Sequence, residues 1–477
     1  MAAFKDYQDH DGLGLAALVR TRQVKPEEVL EAALACIARH NPKVNALTHL
    51  MEAEARRTVA AGLPEGPFRG VPYALKDLNV LYAGQPTTNG SRLFAGFVPD
   101  HDSTLTERCR AAGLVIVGKT NTPELGLNMT TEPALHGPTR NPYDLALSAG
   151  GSSGGAAAAV ASGMMPMAHA TDGGGSIRIP AANCGLVGLK TTRARNPMGP
   201  DVAEGLGGLS VGHCVSRTVR DSAALLDATH GPAPGDPYAA PPPARPFLDE
   251  VGADPGRLRI GLVTEAPGGL PVDAACRSAA EEAGRMCAGL GHHVEPATLD
   301  VDVEALLEAF WSIFCAGVRF AVDQRLKALQ RPLRPDDIEP ASHAFAEAAA
   351  RVGAADYLRG IHALHAAGRR IARTMAKLDV LLLPTLAQPP MPLGTLTMAE
   401  PDGRRYFDAL FRRLPFTPAF NASGQPAIQL PLVWTDKGIP IGVQFAGRLG
   451  DEATLLRLAA QLEAAHPWAK RRPPLFG

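Results

Sequence analysis

The middle of the chain carries two glycine-rich stretches, Gly-Gly-Ser-Ser-Gly-Gly at 150–155 and Asp-Gly-Gly-Gly-Ser-Ile-Arg at 172–178. Glycine lets a backbone approach a ligand closely, and consecutive N–H groups in such a loop can converge on an anion. That anion could be a phosphate or the oxyanion of an acyl-transfer intermediate. Neither stretch matches the Gly-x-x-x-x-Gly-Lys-Ser/Thr or Gly-x-Gly-x-x-Gly pattern of phosphate loops. Serines set among glycines in both stretches therefore favour serine acyl transfer.

A nucleophilic serine needs a base, and the sequence leaves two possibilities open. Residues 151–155 fit Gly-x-Ser-x-Gly, the nucleophile elbow of α/β-hydrolases, with Ser153 as the nucleophile. That motif follows an apolar strand and needs a histidine, whereas residues 141–148 are polar and contain proline. The other candidate base is Lys76, which ends an apolar run. An apolar setting lowers the pKa of an amine, so a neutral Lys76 could accept a proton, unless it pairs with Asp77 at the surface.

Bulk composition excludes several classes of protein. The chain has 477 residues, of which 45% are hydrophobic, as expected for a globular protein with a large core. Its formal net charge of −1 provides no basic surface for nucleic acid. The N-terminus lacks the basic and apolar regions of a signal peptide, and the apolar-looking stretch at 156–170 falls short of a membrane span. We therefore expect a cytoplasmic protein with no nucleic-acid or membrane partner.

Cysteine and histidine spacing indicates no metal site. The seven cysteines are widely spaced and contain no Cys-x-x-Cys pair. The histidine pairs at 292–293 and 362–365 have no carboxylate at a spacing that metal motifs use. We therefore expect no disulfide framework, no metal and no cofactor.

Helical and strand-like patterns alternate along the chain. Residues 1–61 resemble N-terminal helices, and short apolar strands alternate with helices over 62–230. A proline-rich connector then leads into a mostly helical segment over 231–378, and strand-like patterns return over 379–477. This alternation predicts an α/β fold whose sheet is covered by helices.

Taken together, these motifs resemble the amidase signature family. Its pattern is Ala-Leu-Lys-Asp, then Gly-Gly-Ser-Ser-Gly-Gly, then Asp-x-Gly-Gly-Ser-Ile-Arg-x-Pro-Ala, which stand here at 74–77, 150–155 and 172–181. The chain looks most like the bacterial members of the 6-aminohexanoate-cyclic-dimer hydrolase type. The resemblance implies one domain over 1–477 with a large mixed β-sheet core and helices on both faces. Residues 62–230 and 379–477 would form the catalytic core, and the variable segment 231–378 part of the substrate pocket.

The resemblance also implies roles for individual residues. Ser176 is expected to be the nucleophile, and Ser152 the bridging serine, which follows a cis peptide. Lys76 is expected to be the base of this Ser–Ser–Lys triad. The other implied residues are the oxyanion-hole donors Gly173, Gly174, Gly175 and Ser176, the supporting residues Ser153, Asp172 and Arg178, and Cys315 as a possible pocket residue.

The expected function is hydrolysis of the C–N bond of small amides through a seryl acyl-enzyme. Nylon-type oligoamides, anilides and carbamates are candidate substrates, and the protein is expected to be a monomer or homodimer. Two alternatives remain open on the sequence. One is the amidase subunit of a glutamine-dependent aminoacyl-tRNA amidotransferase, and the other is an α/β-hydrolase-type esterase that uses Ser153.

Overall fold

The computed structural model describes residues 4–476 as an α/β protein. Its strands are β1 Leu47–Leu50, β2 Pro72–Lys76, β3 Val115–Thr120, β4 Arg140–Asn141, β5 Asp144–Ser148, β6 Met167–Asp172, β7 Val187–Lys190, β8 Val211–Ser216, β9 Arg259–Leu262, β10 His293–Pro296, β11 Val380–Pro384, β12 Ala427–Trp434 and β13 Pro440–Ala446. Its α-helices are α1 Gly12–Arg20, α2 Pro26–Val44, α3 Glu52–Ala61, α4 Thr104–Ala111, α5 Gly154–Ala161, α6 Arg178–Asn183, α7 Val219–Thr229, α8 Ala274–Gly289, α9 Val303–Leu329, α10 Pro340–Ala348, α11 Ala354–Thr374, α12 Gly403–Phe411, α13 Thr417–Ser423 and α14 Glu452–Ala465.

The main sheet has eight strands in the order β10-β9-β11-β13-β12-β7-β8-β6. Strands β10, β9 and β11 run parallel to one another, and the remaining neighbours pair antiparallel, so the sheet is mixed. A second sheet of three strands has the order β1-β3-β2, in which β2 is parallel and β1 antiparallel to β3. The predicted mixed α/β fold is confirmed.

Side-chain alternation along β13 explains why helices cover both faces of the main sheet. Val443 and Phe445 point into a hydrophobic cluster that includes the apolar side of α8 and α14. Gln444, between them, points to the other face and contacts Arg178 of α6. Both faces of β13 are therefore covered by helices, which agrees with the absence of exposed residues along this strand.

Two segments that the sequence pattern predicts to be helical or mostly helical also contain β-strands. The segment 1–61, predicted as helices, also contains β1, whose Leu47–Leu50 backbone pairs with β3. A four-residue strand is too short to show a periodicity of its own. The segment 231–378 contributes the edge strands β9 and β10 to the main sheet as well as the long helices α9 and α11. The domain boundaries themselves stay predictions.

Helix α9 is long and apolar enough, by length and composition, to cross a membrane, and no other helix of the described residues meets that criterion. The core helix of a soluble protein meets the same criterion. In this structure Phe310 and Phe314 of α9 are buried in a hydrophobic cluster with Phe407 and Phe411 of α12. Much of the apolar character of α9 therefore serves packing between helices.

Gly155, in the first turn of α5, provides a test of close backbone packing. A Cβ at this position would lie 2.5 Å from the Ala46 carbonyl oxygen and 2.7 Å from the Asn121 carbonyl oxygen. Gly155→Ala should therefore force α5 away from β3 and lower the free energy of unfolding by about 1–3 kcal/mol or more, measured by urea denaturation.

Gly289, at the end of α8, is the matched control. Apart from its chain neighbours and the backbone of its own helix, none of the described residues lies within 4 Å of a Cβ placed there. Gly289→Ala should leave stability unchanged or raise it by up to about 1 kcal/mol, because alanine loses less backbone entropy in a helix. Equal stability of the two variants would contradict the close approach of α5.

Candidate active site

Lys76 ends strand β2 and is fully buried. Its Nζ lies 2.7 Å from the Ser152 Oγ and 2.8 Å from the Thr171 Oγ1, so the amine meets two hydroxyls and no carboxylate. Burial lowers the pKa of Lys76 to about 7, although the charge of Asp172 acts in the opposite direction. The apolar run 71–75 thus places a lysine where the neutral amine is readily populated at neutral pH.

Ser152 and Ser153 lie between β5 and α5, and they face different partners. The peptide bond from Gly151 to Ser152 is cis, as the resemblance implies. Ser152 Oγ contacts Lys76, whereas Ser153 Oγ donates to the Thr171 carbonyl oxygen at 3.2 Å and accepts from the Thr171 N–H at 3.3 Å. Ser153 thus connects the start of α5 to the end of β6, and Ser152 is the serine placed against the amine.

The loop from Asp172 to Ser176 is folded around the Asp172 carboxylate. Oδ1 accepts from the Gly175 N–H at 2.7 Å, and Oδ2 accepts from the Ile177 N–H at 3.2 Å. Gly175 has φ +135°, a conformation that favours glycine, and its Cβ would clash with Thr417. The loop conformation therefore depends on both the buried carboxylate and the missing side chain.

Three N–H groups of this loop remain available to a ligand. Those of Gly173, Gly174 and Ser176 have no acceptor among residues 4–476. The family resemblance implies that the Gly175 N–H also binds the oxyanion, but in the structure this N–H already donates to Asp172 Oδ1. Gly173, Gly174 and Ser176 also line a cavity, described below, so their N–H groups are the better candidates for anion binding.

Arg178 and Asp172 form a fully buried ion pair beneath the loop. Arg178 Nε and Nη2 each donate to Asp172 at 3.0 Å, and its remaining donors reach Gln444 Oε1 at 2.9 Å and Asn421 Oδ1 at 2.7 Å. Burial alone would raise the pKa of Asp172, but the guanidinium of Arg178, the ammonium of Lys190 and a hydrogen bond from Asn421 lower it to about 2. The carboxylate is therefore ionised over the whole ordinary pH range.

A cavity of about 770 Å³ opens above these residues. Ser152, Thr171 and Ser176 line it, and so do apolar side chains from several elements. A volume of this size accommodates a drug-sized ligand. The apolar residues in its wall include Phe94, Phe97, Leu125, Met129, Phe314 and Phe411.

Cys315 does not line this cavity, contrary to the prediction. Its neighbours Phe314 and Ala316 do, but the Cys315 side chain is fully buried in a hydrophobic cluster that α9 forms with neighbouring helices. Adjacent helical residues point about 100° apart, so a one-residue difference decides which side chain faces the cavity. Burial raises the pKa of the Cys315 thiol to about 12, so it remains a neutral hydrophobic residue.

Sequence reasoning missed His169 and Thr171, which precede Asp172 on β6. Their side chains lie on one face of the strand because they are two residues apart. Thr171 contacts the Lys76 amine, and the buried His169 accepts the Lys76 backbone N–H on Nδ1 at 3.3 Å. Burial, with smaller effects from Lys76 and Lys119, lowers the pKa of His169 well below its usual range. The alternation of side chains along the strand before Asp172 was the sequence signal that could have identified these two residues.

Among residues 4–476, no group of three or more His, Cys, Asp or Glu side chains is placed to hold a metal ion. The six buried and one half-buried cysteines are free in the structure.

Comparison with known proteins gives one consistent family. A family profile described as "Amidase" matches residues 28–456. The 6-aminohexanoate-cyclic-dimer hydrolase of Paenarthrobacter ureafaciens is 40% identical, over 98% of this chain and 97% of the relative. A crystal structure of 6-aminohexanoate cyclic dimer hydrolase complexed with substrate has a TM-score of 0.94 and 39% identity, covering 99% of this chain and 100% of that one. A bacterial aryl acylamidase has a TM-score of 0.89 and 28% identity, covering 98% of each chain.

The buried ion pair predicts a large stability loss on removal of the arginine. Arg178→Met leaves the Asp172 carboxylate buried without its main partner, so the free energy of unfolding should fall by about 3–5 kcal/mol at pH 7. Arg319→Met, which breaks a half-exposed pair with Asp323, should cost less than about 1 kcal/mol. Urea denaturation measures both, and equal losses would contradict the importance of the buried pair.

The same pair fixes the direction of the acid dependence in the unmodified protein. The folded pKa of Asp172, about 2, lies below the value of about 3.9 expected in the unfolded chain. Its contribution to stability is therefore complete above pH ~4 and is lost as pH falls towards ~2.

Proposed function

The chain belongs to the amidase signature family and is an amidohydrolase, and from this premise we propose that it cleaves amides with a Ser176–Ser152–Lys76 triad. The observation that supports this assignment most directly is the 2.7 Å contact between the Lys76 Nζ and the Ser152 Oγ. A fully buried amine with a pKa of about 7 can accept a proton that a surface lysine could not. Ser176, which lines the same cavity as Ser152, then supplies the nucleophile.

The proposed first half-reaction forms an acyl-enzyme. Neutral Lys76 accepts the proton of Ser152, Ser152 accepts the proton of Ser176, and the Ser176 Oγ attacks the substrate carbonyl carbon. The free N–H groups of Gly173, Gly174 and Ser176 stabilise the oxyanion. Ser152 then protonates the leaving amine while the C–N bond breaks, and Lys76 returns its proton to Ser152.

The second half-reaction releases the acyl group by the same route. A water molecule gives its proton to Ser152, and Ser152 passes its own to Lys76, while the hydroxide attacks the acyl-enzyme carbonyl. Collapse of this intermediate breaks the bond to Ser176, whose oxygen regains a proton through Ser152. The products are a carboxylic acid and an amine, and the enzyme returns to its starting protonation state.

The residues around the triad hold its geometry. The Asp172–Arg178 pair and the Gly175 N–H fix the loop that carries Ser176, and Thr417 donates to the Gly174 carbonyl oxygen at 2.7 Å. Ser153 connects the Ser152 segment to the strand that precedes this loop. Precise placement of reacting groups is worth several orders of magnitude in rate, so these buried contacts support the chemistry without touching the substrate.

For the substrate, we propose predominantly apolar amides of at least moderate size, which include nylon-type oligoamides, anilides and the related carbamates. The cavity of about 770 Å³ exceeds what a small aliphatic amide fills. The similar proteins named above act on a cyclic amide dimer or on aryl acylamides, which fits an apolar wall. Phenylalanine side chains in that wall offer stacking surfaces for an aryl leaving group.

Removal of single serines tests the assignment of the nucleophile. Ser176→Ala should lower kcat by about 10⁴-fold or more on a panel of 4-nitroanilides, cyclic and linear 6-aminohexanoate oligomers and aryl carbamates. Circular dichroism and thermal unfolding should show a folded protein. Ser153→Ala is the matched control and should retain measurable turnover, because Ser153 contacts Thr171 and not the amine. An inactive Ser153→Ala variant beside an active Ser176→Ala variant would support the esterase alternative instead.

The pKa of Lys76 determines the pH dependence. Because the lysine must be neutral to accept a proton, kcat/KM for a 4-nitroanilide should rise with pH through about 7 and then level off. Lys76→Met should remove this limb together with most of the activity. A rising limb near pH ~10.4, the ordinary lysine value, or none at all, would contradict the role of Lys76 as base.

A further inference from the structure

Arg325 of α9 lies in the wall of the cavity that Ser152 and Ser176 also line. Its guanidinium lies over the rings of Phe94 and Phe97, with its carbon 5.8 and 5.3 Å from their centroids. Its Nε donates to the Leu93 carbonyl oxygen at 3.2 Å. These contacts orient the side chain but leave the two terminal nitrogens, with four N–H donors, without a hydrogen-bond partner among the described residues.

No carboxylate among residues 4–476 lies within ion-pair distance of Arg325. Arg331, which is itself paired with Asp337, is the charged group that acts on it. Burial lowers the pKa of Arg325, and the like charge of Arg331 acts in the same direction. Arg325 is only partly buried, so its terminal N–H groups are available to an anion brought by a ligand, and a charge-assisted hydrogen bond is stronger than a neutral one.

Acidic residues elsewhere in the cavity wall do not supply this counter-charge. Asp201 lies 3.0 Å from the ring of His101. The charge of Glu204 acts on Arg193, raising the pKa that burial lowers, and on Tyr357. Neither carboxylate forms an ion pair or a hydrogen bond with Arg325 among the described residues.

We propose that Arg325 binds a carboxylate of the substrate, at a distance from the scissile amide, and that the enzyme therefore prefers open-chain amides ending in a carboxylate. The planar guanidinium matches a carboxylate with two parallel hydrogen bonds. The apolar wall between Arg325 and Ser176 accommodates the intervening carbon chain or ring. This inference rests on the proposed function, because it assigns the distal end of the same substrate.

The subsite distinguishes open-chain from cyclic substrates. A cyclic dimer of an amino acid has no free carboxylate, because both of its termini are used in amide bonds. It would fill the apolar part of the cavity and leave Arg325 unpaired. A linear oligoamide or an N-acyl amino acid satisfies both requirements, an apolar spacer and a terminal carboxylate.

Matched substrate pairs test the subsite. One series carries the carboxylate on the acyl side, as mono-4-nitroanilides of linear dicarboxylic acids from succinic to sebacic acid. A second series carries it on the amine side, as N-acyl ω-amino acids of increasing length. The partner of each compound has a methyl ketone in place of the carboxylate, which keeps the planar carbonyl and removes the charge. The measured quantity is the ratio of kcat/KM for acid over ketone.

In the wild type, this ratio should exceed one and peak at one chain length in at least one series. Arg325→Met should lower the peak ratio by about 10–100-fold, the effect expected of a charged hydrogen-bonded pair, chiefly through a higher KM for the acid. Arg325→Lys should retain part of the preference, because the charge remains and the planar fork is lost. Arg319→Met, on the same helix but paired with Asp323 and outside the cavity wall, should leave the ratio at the wild-type value.

Failure of the subsite and failure of the proposed function give different results. The subsite alone is overturned if the amides that carry a ketone are hydrolysed in a Ser176-dependent way and the acids are not preferred over them. It is also overturned if Arg325→Met leaves the acid-to-ketone ratio unchanged. If Arg325→Met lowers kcat/KM equally for the acid and the ketone compounds, Arg325 has a structural role in the cavity wall. If neither series is hydrolysed, the proposed function fails for these amides, and calorimetric binding of the same pairs to Ser176→Ala protein still decides the subsite by its acid-to-ketone ratio.

Discussion

The ionised carboxylate of Asp172, buried at the end of strand β6, determines the shape of the candidate active site. Each of its two oxygens accepts three hydrogen bonds, which come from Arg178, Asn421 and N–H groups of the glycine-rich loop and the residue after it. A buried charge is tolerated only with such complete compensation, so the loop and the neighbouring helices have little freedom to rearrange. The position of Ser176 is thus a consequence of electrostatics several residues away from it.

In this site, one buried ionisable group is stabilised in its charged form and a nearby one in its neutral form. Asp172 keeps its charge because Arg178 and Lys190 compensate it, whereas Lys76 receives hydroxyl partners and burial, which favour the neutral amine. Environments that separate the pKa values of neighbouring groups are typical of acid–base chemistry. The same protein interior therefore supplies a permanent anion for structure and, in the proposed mechanism, a base for proton transfer.

Much of the fold and the centre of the site could be predicted from the sequence, because both depend on local patterns. The serines, the lysine and Asp172–Arg178 are marked by glycine runs and short motifs. Strand β1 was missed because four residues are too few to show a periodicity. Cys315 was wrongly placed in the cavity wall because adjacent residues of a helix point in different directions. His169, Thr171 and the bonded Gly175 N–H depend on how strand β6 meets strand β2, which is a tertiary relation. Arg325 lines the cavity because of the position of α9, which packs against α10 and α11, and that packing is also a tertiary relation.

Helix α9 gives the cavity much of its wall, yet it carries none of the residues assigned to bond cleavage. Those come from β2, the start of α5 and the loop after β6, which are anchored to the two sheets. This part of the cavity wall and the proposed catalytic residues therefore belong to separate stretches of the chain. Substitutions within 303–329 can therefore reshape the cavity without altering any of the proposed catalytic residues, which makes this helix the natural target for changing the substrate range by protein engineering.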